Sequence, residues 1–222
     1  MVSATRIVLL HATPIAMAPV RAAFMSTWPE AETVNLLDDG LSVDRAREAE
    51  LSDRMIARFV AFGQYGAAMD ANGILVTCSA FGPAIERLAA SLDIPVLKPN
   101  EAMFHAAVAA GTSIGMLATF GPSVPTMTAE FDEYVASVGS KATLTTVVVP
   151  RAIDRLRAGD ADTHNRLVAE HAPQLARCDA VMLAHFSTSR AALAVRAAID
   201  TPVFTAPESA VLQMRALVES RG

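Results

Sequence analysis

The sequence predicts an α/β protein made of two pseudo-symmetric lobes, each a mostly parallel sheet flanked by helices, with a site in the cleft between them. Short apolar runs alternate regularly with helical segments along the whole chain, which is typical of a parallel sheet. Several of these runs are apolar throughout, as strands buried on both faces are. The chain also resembles itself after a shift of 107 residues. These three observations together define the predicted fold class.

Composition limits the possible partners and location. The 222 residues are 52% apolar, enough for a sizeable core, and the formal net charge is -5 without a basic run. We therefore expect neither nucleic acid nor an anionic membrane surface as partner. Cys78 and Cys178 lie far apart and do not resemble a disulfide framework, so a cytoplasmic location is expected. The first apolar run, Ile7 to Leu10, is too short to span a membrane and is followed closely by His11 and Pro14.

The first half of the chain is predicted to alternate between strand and helix. The predicted strands are 6–10, 33–37, 74–76 and 94–97. Helices are expected at 18–27, from Pro83 onwards, and at 101–110. A long helix is also predicted to start near Ser42 and Asp44, because the apolar residues from Met55 to Phe62 recur at helical spacing.

The second half is predicted to follow the same plan. Residues 112–119 form a strand and the start of its loop, and further strands are expected at 142–149, 180–184 and 202–204. Helices are expected at 126–138, at 154–176 with an interruption near Gly159, after the 180–184 strand, and at 208–219. The first lobe is assigned residues 1–98 and 207–222, and the second lobe residues 99–206.

Residues 73–83 contain the main candidate for chemistry. Ile74 to Val76 is a short apolar strand, and a helix begins near Pro83. Ligands of parallel sheets bind beyond the carboxyl ends of the strands, where Thr77, Cys78 and Ser79 lie. Backbone N–H groups and a helix N-terminus favour a thiolate at this place, so Cys78 is a candidate catalytic residue. The alternative is a buried cysteine that only packs as a small hydrophobic residue.

The internal repeat pairs Cys78 with a histidine. At the 107-residue offset Cys78 coincides with His185, while Ile74 falls on Val181 and Pro95 on Pro202. Two lobes related in this way would present Cys78 and His185 from opposite walls of a cleft. Two proton-transfer groups that face each other across a carbon atom can remove a proton on one face and deliver one on the other. His185 is therefore the second candidate catalytic residue.

These residues resemble those of the aspartate/glutamate/hydantoin racemase superfamily, which also includes maleate isomerases and arylmalonate decarboxylases. The resemblance is carried by Thr77-Cys78-Ser79, by Leu183-Ala184-His185, and by the loops 11–14 and 118–120. It implies chemistry at a carbon next to a carboxylate, on a small carboxylate or amino-acid-like substrate. It also implies no cofactor, no metal and a homo-oligomer. Family racemases carry a second cysteine where this chain has His185, or Phe186 if the register slips by one residue.

Residues at the strand ends are the candidates for holding the substrate. Backbone N–H groups after Cys78 and His185 and the nearby hydroxyls can bind a carboxylate. The candidate substrate-binding residues are His11, Thr13, Pro14, Thr77, Ser79, Thr119, Phe120, Phe186, Ser187 and Thr188. For Ser79, Ser187 and Thr188 helix capping is the alternative role, and for the phenylalanines, with Phe81, it is ordinary core packing.

Several reactions fit these residues. The leading hypothesis is a racemase or isomerase that needs no pyridoxal phosphate. Decarboxylation, maleate-type isomerisation and C–N hydrolysis by a single thiol are alternatives within the same superfamily. A binding protein that has lost catalysis is the alternative from another class. No cluster of His, Asp or Glu has the spacing of a metal site, and the glycines match no phosphate-binding loop.

Overall fold

The computed structural model describes residues 5–48 and 50–221. Its strands are β1 (Arg6–His11), β2 (Glu32–Leu37), β3 (Gly73–Val76), β4 (Val96–Leu97), β5 (Ser113–Ala118), β6 (Thr143–Val148), β7 (Ala180–Leu183) and β8 (Val203–Thr205). Its α-helices are α1 (Met17–Thr27), α2 (Gly40–Arg45), α3 (Asp53–Ala67), α4 (Gly82–Ala90), α5 (Glu101–Ala110), α6 (Val124–Ser137), α7 (Ala152–Arg157), α8 (Ala161–His171), α9 (His185–Thr188), α10 (Ala192–Arg196) and α11 (Ala206–Glu219).

The strands form two four-stranded parallel sheets with the same strand order. The first runs β2-β1-β3-β4 and the second β6-β5-β7-β8. Ile7 pairs with Gly73 in the first sheet, and Ile114 pairs with Ala180 in the second. Adding the 107-residue offset to Ile7 and Gly73 gives Ile114 and Ala180, so the pairing in the second sheet repeats the pairing in the first. The predicted α/β class with parallel sheets flanked by helices is confirmed, and the sequence repeat corresponds to a repeat of sheet topology and register.

Each sheet has its own apolar core. The central strands β3 and β7 are buried over their full length, which explains why their sequences are apolar without alternation. In the first core the fully buried side chains include Phe59, Leu88 and Phe81. A side chain at Gly63 would overlap Leu88, so a glycine there lets α3 pack closely on α4. The second core contains Leu117, Val168, Leu175 and Val195 among others.

The chain divides into two compact units. The first unit comprises the described residues of 1–102 and 210–222, and the second unit comprises residues 103–209. The sequence prediction placed these divisions after residues 98 and 206, whereas the units divide after residues 102 and 209, within α5 and α11. Among the described residues, no helix combines the length and apolar character needed to cross a membrane.

The prediction of one long helix from Ser42 is wrong. Helix α2 ends at Arg45, and α3 begins only at Asp53. The Arg58 guanidinium on α3 forms ion pairs with Asp38 and Asp44 at 2.7 Å each. These ion pairs connect α2 to α3, which are two separate helices. The predicted interruption near Gly159 is found between α7 and α8.

Candidate active site

Cys78 lies directly beyond the carboxyl end of the central strand β3. The Thr77 N–H donates to the Leu10 carbonyl at 3.0 Å and so extends the pairing of β3 with β1 by one residue. Cys78 has an extended backbone and precedes a 3₁₀ turn at Ser79–Phe81, after which α4 begins. Phe81 is fully buried and stacks on Phe59 at 5.1 Å between ring centroids, which makes it a core residue that anchors this turn. The side chain of Cys78 is partly exposed.

A polar network of buried His11 and Thr77 and exposed Asn35 includes the residue directly before Cys78. His11 ends β1 and is completely buried, with Nδ1 2.9 Å from the Thr77 hydroxyl and Nε2 2.9 Å from Asn35 Oδ1. Burial lowers the pKa of His11, and the hydrogen bond to Asn35 opposes this shift. When Nε2–H of the neutral ring donates to Asn35 Oδ1, the single hydrogen of the Thr77 hydroxyl serves both Nδ1 and the Leu10 carbonyl, which lies 3.2 Å from that hydroxyl. Both ring nitrogens of His11 are thus engaged by side chains, and the network orients Thr77, the residue before Cys78.

His185 occupies the equivalent place in the second sheet. The Ala184 N–H donates to the Leu117 carbonyl at 2.9 Å, as Thr77 does to Leu10, so Cys78 and His185 both follow the last paired residue of a central strand. His185 has a left-handed backbone conformation with φ of 65°, which non-glycine residues rarely adopt. Residues held in such conformations are enriched at functional sites.

One side chain holds the imidazole of His185. The Nε2 atom lies 2.6 Å from the Ser123 hydroxyl, which also lies 2.7 Å from the Phe120 carbonyl. Nδ1 has no hydrogen bond to any residue in the described ranges. Burial lowers the pKa of His185, which keeps the ring neutral near neutral pH. A neutral imidazole with one nitrogen lone pair available can accept a proton.

The other predicted residues fall into a buried and an exposed group. Thr119 and Thr188 are buried, and their hydroxyls lie 3.2 Å apart. Phe186 and Ser187 are buried as well. Phe120 is 39% exposed, and the Arg157 guanidinium lies 5.5 Å from its ring centroid. Pro14 is exposed, and Thr13 and Ser79 are partly exposed.

Helix capping does not explain the candidate hydroxyls. Cys78 and Ala184 are the N-cap residues of the turns that contain Ser79 and Ser187, and Thr188 makes no side-chain capping bond. Within the described residues, the side chains of Thr13, Ser79 and Ser187 make no hydrogen bond. None of these three hydroxyls makes a capping bond, the Thr188 hydroxyl contacts Thr119, and those of Ser79 and Ser187 are available for another role.

Sequence reasoning missed three side chains. Ser123, which holds His185, lies in the loop after β5, and Asn35, which holds His11, lies on β2. Arg157 contacts Phe120 from α7, far along the chain. Of these three residues, only Ser123 could have been identified as a candidate from the sequence, because it lies in the loop that follows a predicted strand. Over the described ranges, no group of three or more His, Cys, Asp or Glu side chains is arranged to hold a metal ion.

Comparison with known families decides the classification. Residues 18–146, more than half of the 222-residue chain, match the family model described as Asp/Glu/Hydantoin racemase. The chain belongs to this family. No curated protein matches the sequence significantly.

Solved structures of racemases share the fold at low sequence identity. Allantoin racemase from Klebsiella pneumoniae superposes with a TM-score of 0.71 at 16% identity, covering 98% of this chain and 89% of the other. A glutamate racemase isoform from Bacillus anthracis gives 0.68 at 14% identity and covers 98% and 83%. A glycine-to-cysteine mutant of arylmalonate decarboxylase gives 0.69 at 14% identity and covers 98% and 94%. At these identities the likeness shows a shared fold for nearly the whole chain.

Proposed function

We propose that this protein is a cofactor-independent racemase or related isomerase that acts at the carbon next to a carboxylate of a small, amino-acid-like substrate. The observation that carries the proposal is the equivalence of Cys78 and His185, each placed directly beyond a central parallel strand in one of two repeated sheets. Membership in the Asp/Glu/Hydantoin racemase family supports the reaction class.

In the proposed mechanism Cys78 and His185 act on one bound substrate from two sides and share one transferable proton. In one direction neutral His185 takes the proton from the α-carbon, and the Cys78 thiol delivers its proton to the opposite face. In the other direction the Cys78 thiolate takes the proton, and the His185 imidazolium returns one. The proton count is the same before and after each turnover, so the enzyme needs no external acid or base.

The substrate carboxylate requires donors that are already in place. We propose that the backbone N–H groups after Cys78 and His185 bind it, together with the hydroxyls of Thr13, Ser79 and Ser187. These hydroxyls make no side-chain hydrogen bond within the described residues, and fixed donors stabilise the enolate that forms when the α-proton leaves. Thr77, Thr119, Thr188, Phe120, Phe186, Pro14 and His11 are proposed to shape the surrounding site. The proposed setting is the cytoplasm, and the proposed assembly is a homo-oligomer.

The test is proton NMR of the protein in heavy water with aspartate, glutamate, allantoin, substituted hydantoins, maleate and arylmalonates. Deuterium should appear at the α-carbon of at least one of the racemisable compounds. Cys78→Ser should reduce the rate of racemisation of that compound by about 10³-fold, because a proton-transfer group contributes about 10²- to 10⁴-fold. The matched control is Cys178→Ser, since Cys178 precedes β7 at the opposite end of its strand and should leave the rate unchanged.

Other outcomes separate the alternatives. Loss of carbon dioxide from arylmalonates or a changed double bond in maleate would replace racemisation by single-thiol chemistry at Cys78. Racemisation that survives in Cys78→Ser within tenfold of the parent rate would remove Cys78 from the mechanism. No reaction with any compound, together with slow alkylation of Cys78, would favour a binding protein.

A further inference from the structure

Ser123 and His185 form a pair for which the first unit has no counterpart. At the 107-residue offset Ser123 corresponds to Ala16 and His185 corresponds to Cys78. The 3₁₀ turns at Pro14–Ala16 and Gly121–Ser123 occupy the same place in the two repeats. The fold therefore brings this turn to the end of the central strand in both units, but only the second unit carries a hydroxyl there.

The two contacts of the Ser123 hydroxyl determine which group donates in each hydrogen bond. A serine hydroxyl carries one hydrogen, and the Phe120 carbonyl 2.7 Å away can only accept it. With that hydrogen committed, the bond of 2.6 Å to His185 requires Nε2–H to donate to the Ser123 oxygen. A neutral ring with a proton on Nε2 has its lone pair on Nδ1, the nitrogen that makes no hydrogen bond within the described residues.

From this geometry we infer that Ser123 is a positioning residue that fixes His185 in the Nε2–H tautomer, so that Nδ1 is the atom that exchanges protons with the substrate. The proton exchange with a substrate rests on the proposed function, whereas the tautomer of His185 is a property of the protein alone. Protonation of Nδ1 leaves the Ser123 bond intact, so the ring stays in one orientation through both directions of the reaction. Without Ser123 the ring could expose either nitrogen.

The tautomer is measured by long-range ¹H–¹⁵N correlation NMR on protein labelled at histidine, with His185→Gln used to assign the signal. The parent protein should show a protonated Nε2 and an unprotonated Nδ1 at pH above the titration of His185. Ser123→Ala should give averaged nitrogen shifts, because the two tautomers interconvert, and Ser123→Thr should restore the parent pattern. Ser137→Ala is the matched control, since the Ser137 hydroxyl donates to a carbonyl three residues earlier and no histidine bond to it is seen in the described residues.

Kinetics provide the second measurement. Ser123→Ala should lower kcat for α-proton exchange about tenfold or more with little change in KM, because the ring is less often aimed correctly. Ser123→Thr should recover most of the rate, and Ser137→Ala should keep all of it.

The possible failures are distinguishable. A proton on Nδ1 in the parent protein would overturn the inference, as would a Ser123→Ala spectrum identical to that of the parent. If no compound exchanges its α-proton, the proposed function fails, and the NMR experiment still decides whether Ser123 sets the tautomer.

Discussion

The two units have the same strand order and register but carry different polar groups at the ends of their central strands. In the first unit a thiol follows β3, and the neighbouring positions hold the hydrogen-bonded network of His11, Thr77 and Asn35. The second unit has Ala118 and Ala184 at the positions of His11 and Thr77. Asn35 pairs with Leu9, and its equivalent, Thr146, pairs with Met116.

The second unit instead supports its imidazole directly. Ser123 binds His185, and the Thr119 and Thr188 hydroxyls contact each other where the first unit has Ala12 and Phe81. A repeated backbone frame thus offers two equivalent strand ends, and each end has its own set of supporting side chains. This comparison indicates that the frame sets where a reactive group lies and that the neighbours of that group set its protonation and orientation.

The largest expected effect comes from removing the network of the first unit. His11→Ala should lower the free energy of unfolding of the first unit by about 3 kcal/mol, because it leaves a cavity at a fully buried position and removes the hydrogen bonds of both ring nitrogens. Urea denaturation followed by the fluorescence of Trp28, which lies in the first unit, measures this change. His171→Ala is the control, with an expected cost below about 1 kcal/mol, since His171 is partly exposed and bonds only to the Leu167 carbonyl.

A second substitution tests whether the network acts as one unit. The double variant His11→Ala/Thr77→Ala recreates the Ala118 and Ala184 arrangement of the second unit. Its cost should be smaller than the sum of the two single costs by about 1 kcal/mol, because each single variant already breaks the one hydrogen bond that joins His11 and Thr77. Additive costs would show that His11 and Thr77 stabilise the unit independently, contrary to the network described above.

The fold could be predicted from the sequence because its signals are local and repeated. The buried strands β3 and β7 are short apolar runs, and one offset relates them, so both element type and topology follow from the pattern. The split between α2 and α3 was not predicted, and neither were the contacts of Arg58 with Asp38 and Asp44, since these carboxylates lie 20 and 14 residues earlier in the chain.

The candidate site could be predicted only in part. Cys78 and His185 follow their strands directly, so the sequence indicates where they lie. Their supporting partners come from other strands and loops: the bond from Ser123 to His185 joins residues 62 positions apart, and that from His11 to Thr77 joins residues 66 apart. The left-handed backbone of His185 has no sequence signal either, since it is uncommon among non-glycine residues as a class.

A third prediction concerns the backbone at the two equivalent positions. His185 has φ of 65°, a conformation that costs most residues energy but glycine little, whereas Cys78 has φ of -136°. His185→Gly should therefore be more stable than His185→Ala by about 1 kcal/mol, while Cys78→Gly should be less stable than Cys78→Ala by about 0.5–1 kcal/mol. Thermal unfolding of the four variants measures both differences. The same sign at both positions would show that the two strand ends share one backbone conformation.

The smallest expected effect concerns Asp179 and Asn72, the equivalent residues just before the central strands β7 and β3. In the second unit the Asp179 carboxylate accepts the Ser113 and Thr112 N–H groups at 2.8 Å each, while the first unit has Asn72 at the equivalent position, accepting from the Arg6 N–H. The hydrogen bonds from the backbone of Ser113 and Thr112 lower the pKa of Asp179. A carboxyl whose pKa is lower in the folded state stabilises the fold above its unfolded pKa, and this contribution disappears as the pH falls through the folded pKa.

Asp179→Asn keeps an oxygen acceptor but removes the charge, so it should cost a little stability at neutral pH and nothing once the parent carboxyl is protonated. The difference in unfolding free energy between parent and variant should therefore shrink as the pH falls below about 4, where an unfolded aspartate titrates. Urea denaturation between neutral and acid pH measures this difference. The reciprocal variant Asn72→Asp should give the first unit the same acid-sensitive contribution, because its carboxylate would face the Arg6 N–H. A difference for Asp179→Asn that does not change with pH would mean that the charge of Asp179 contributes nothing to the stability of the second unit.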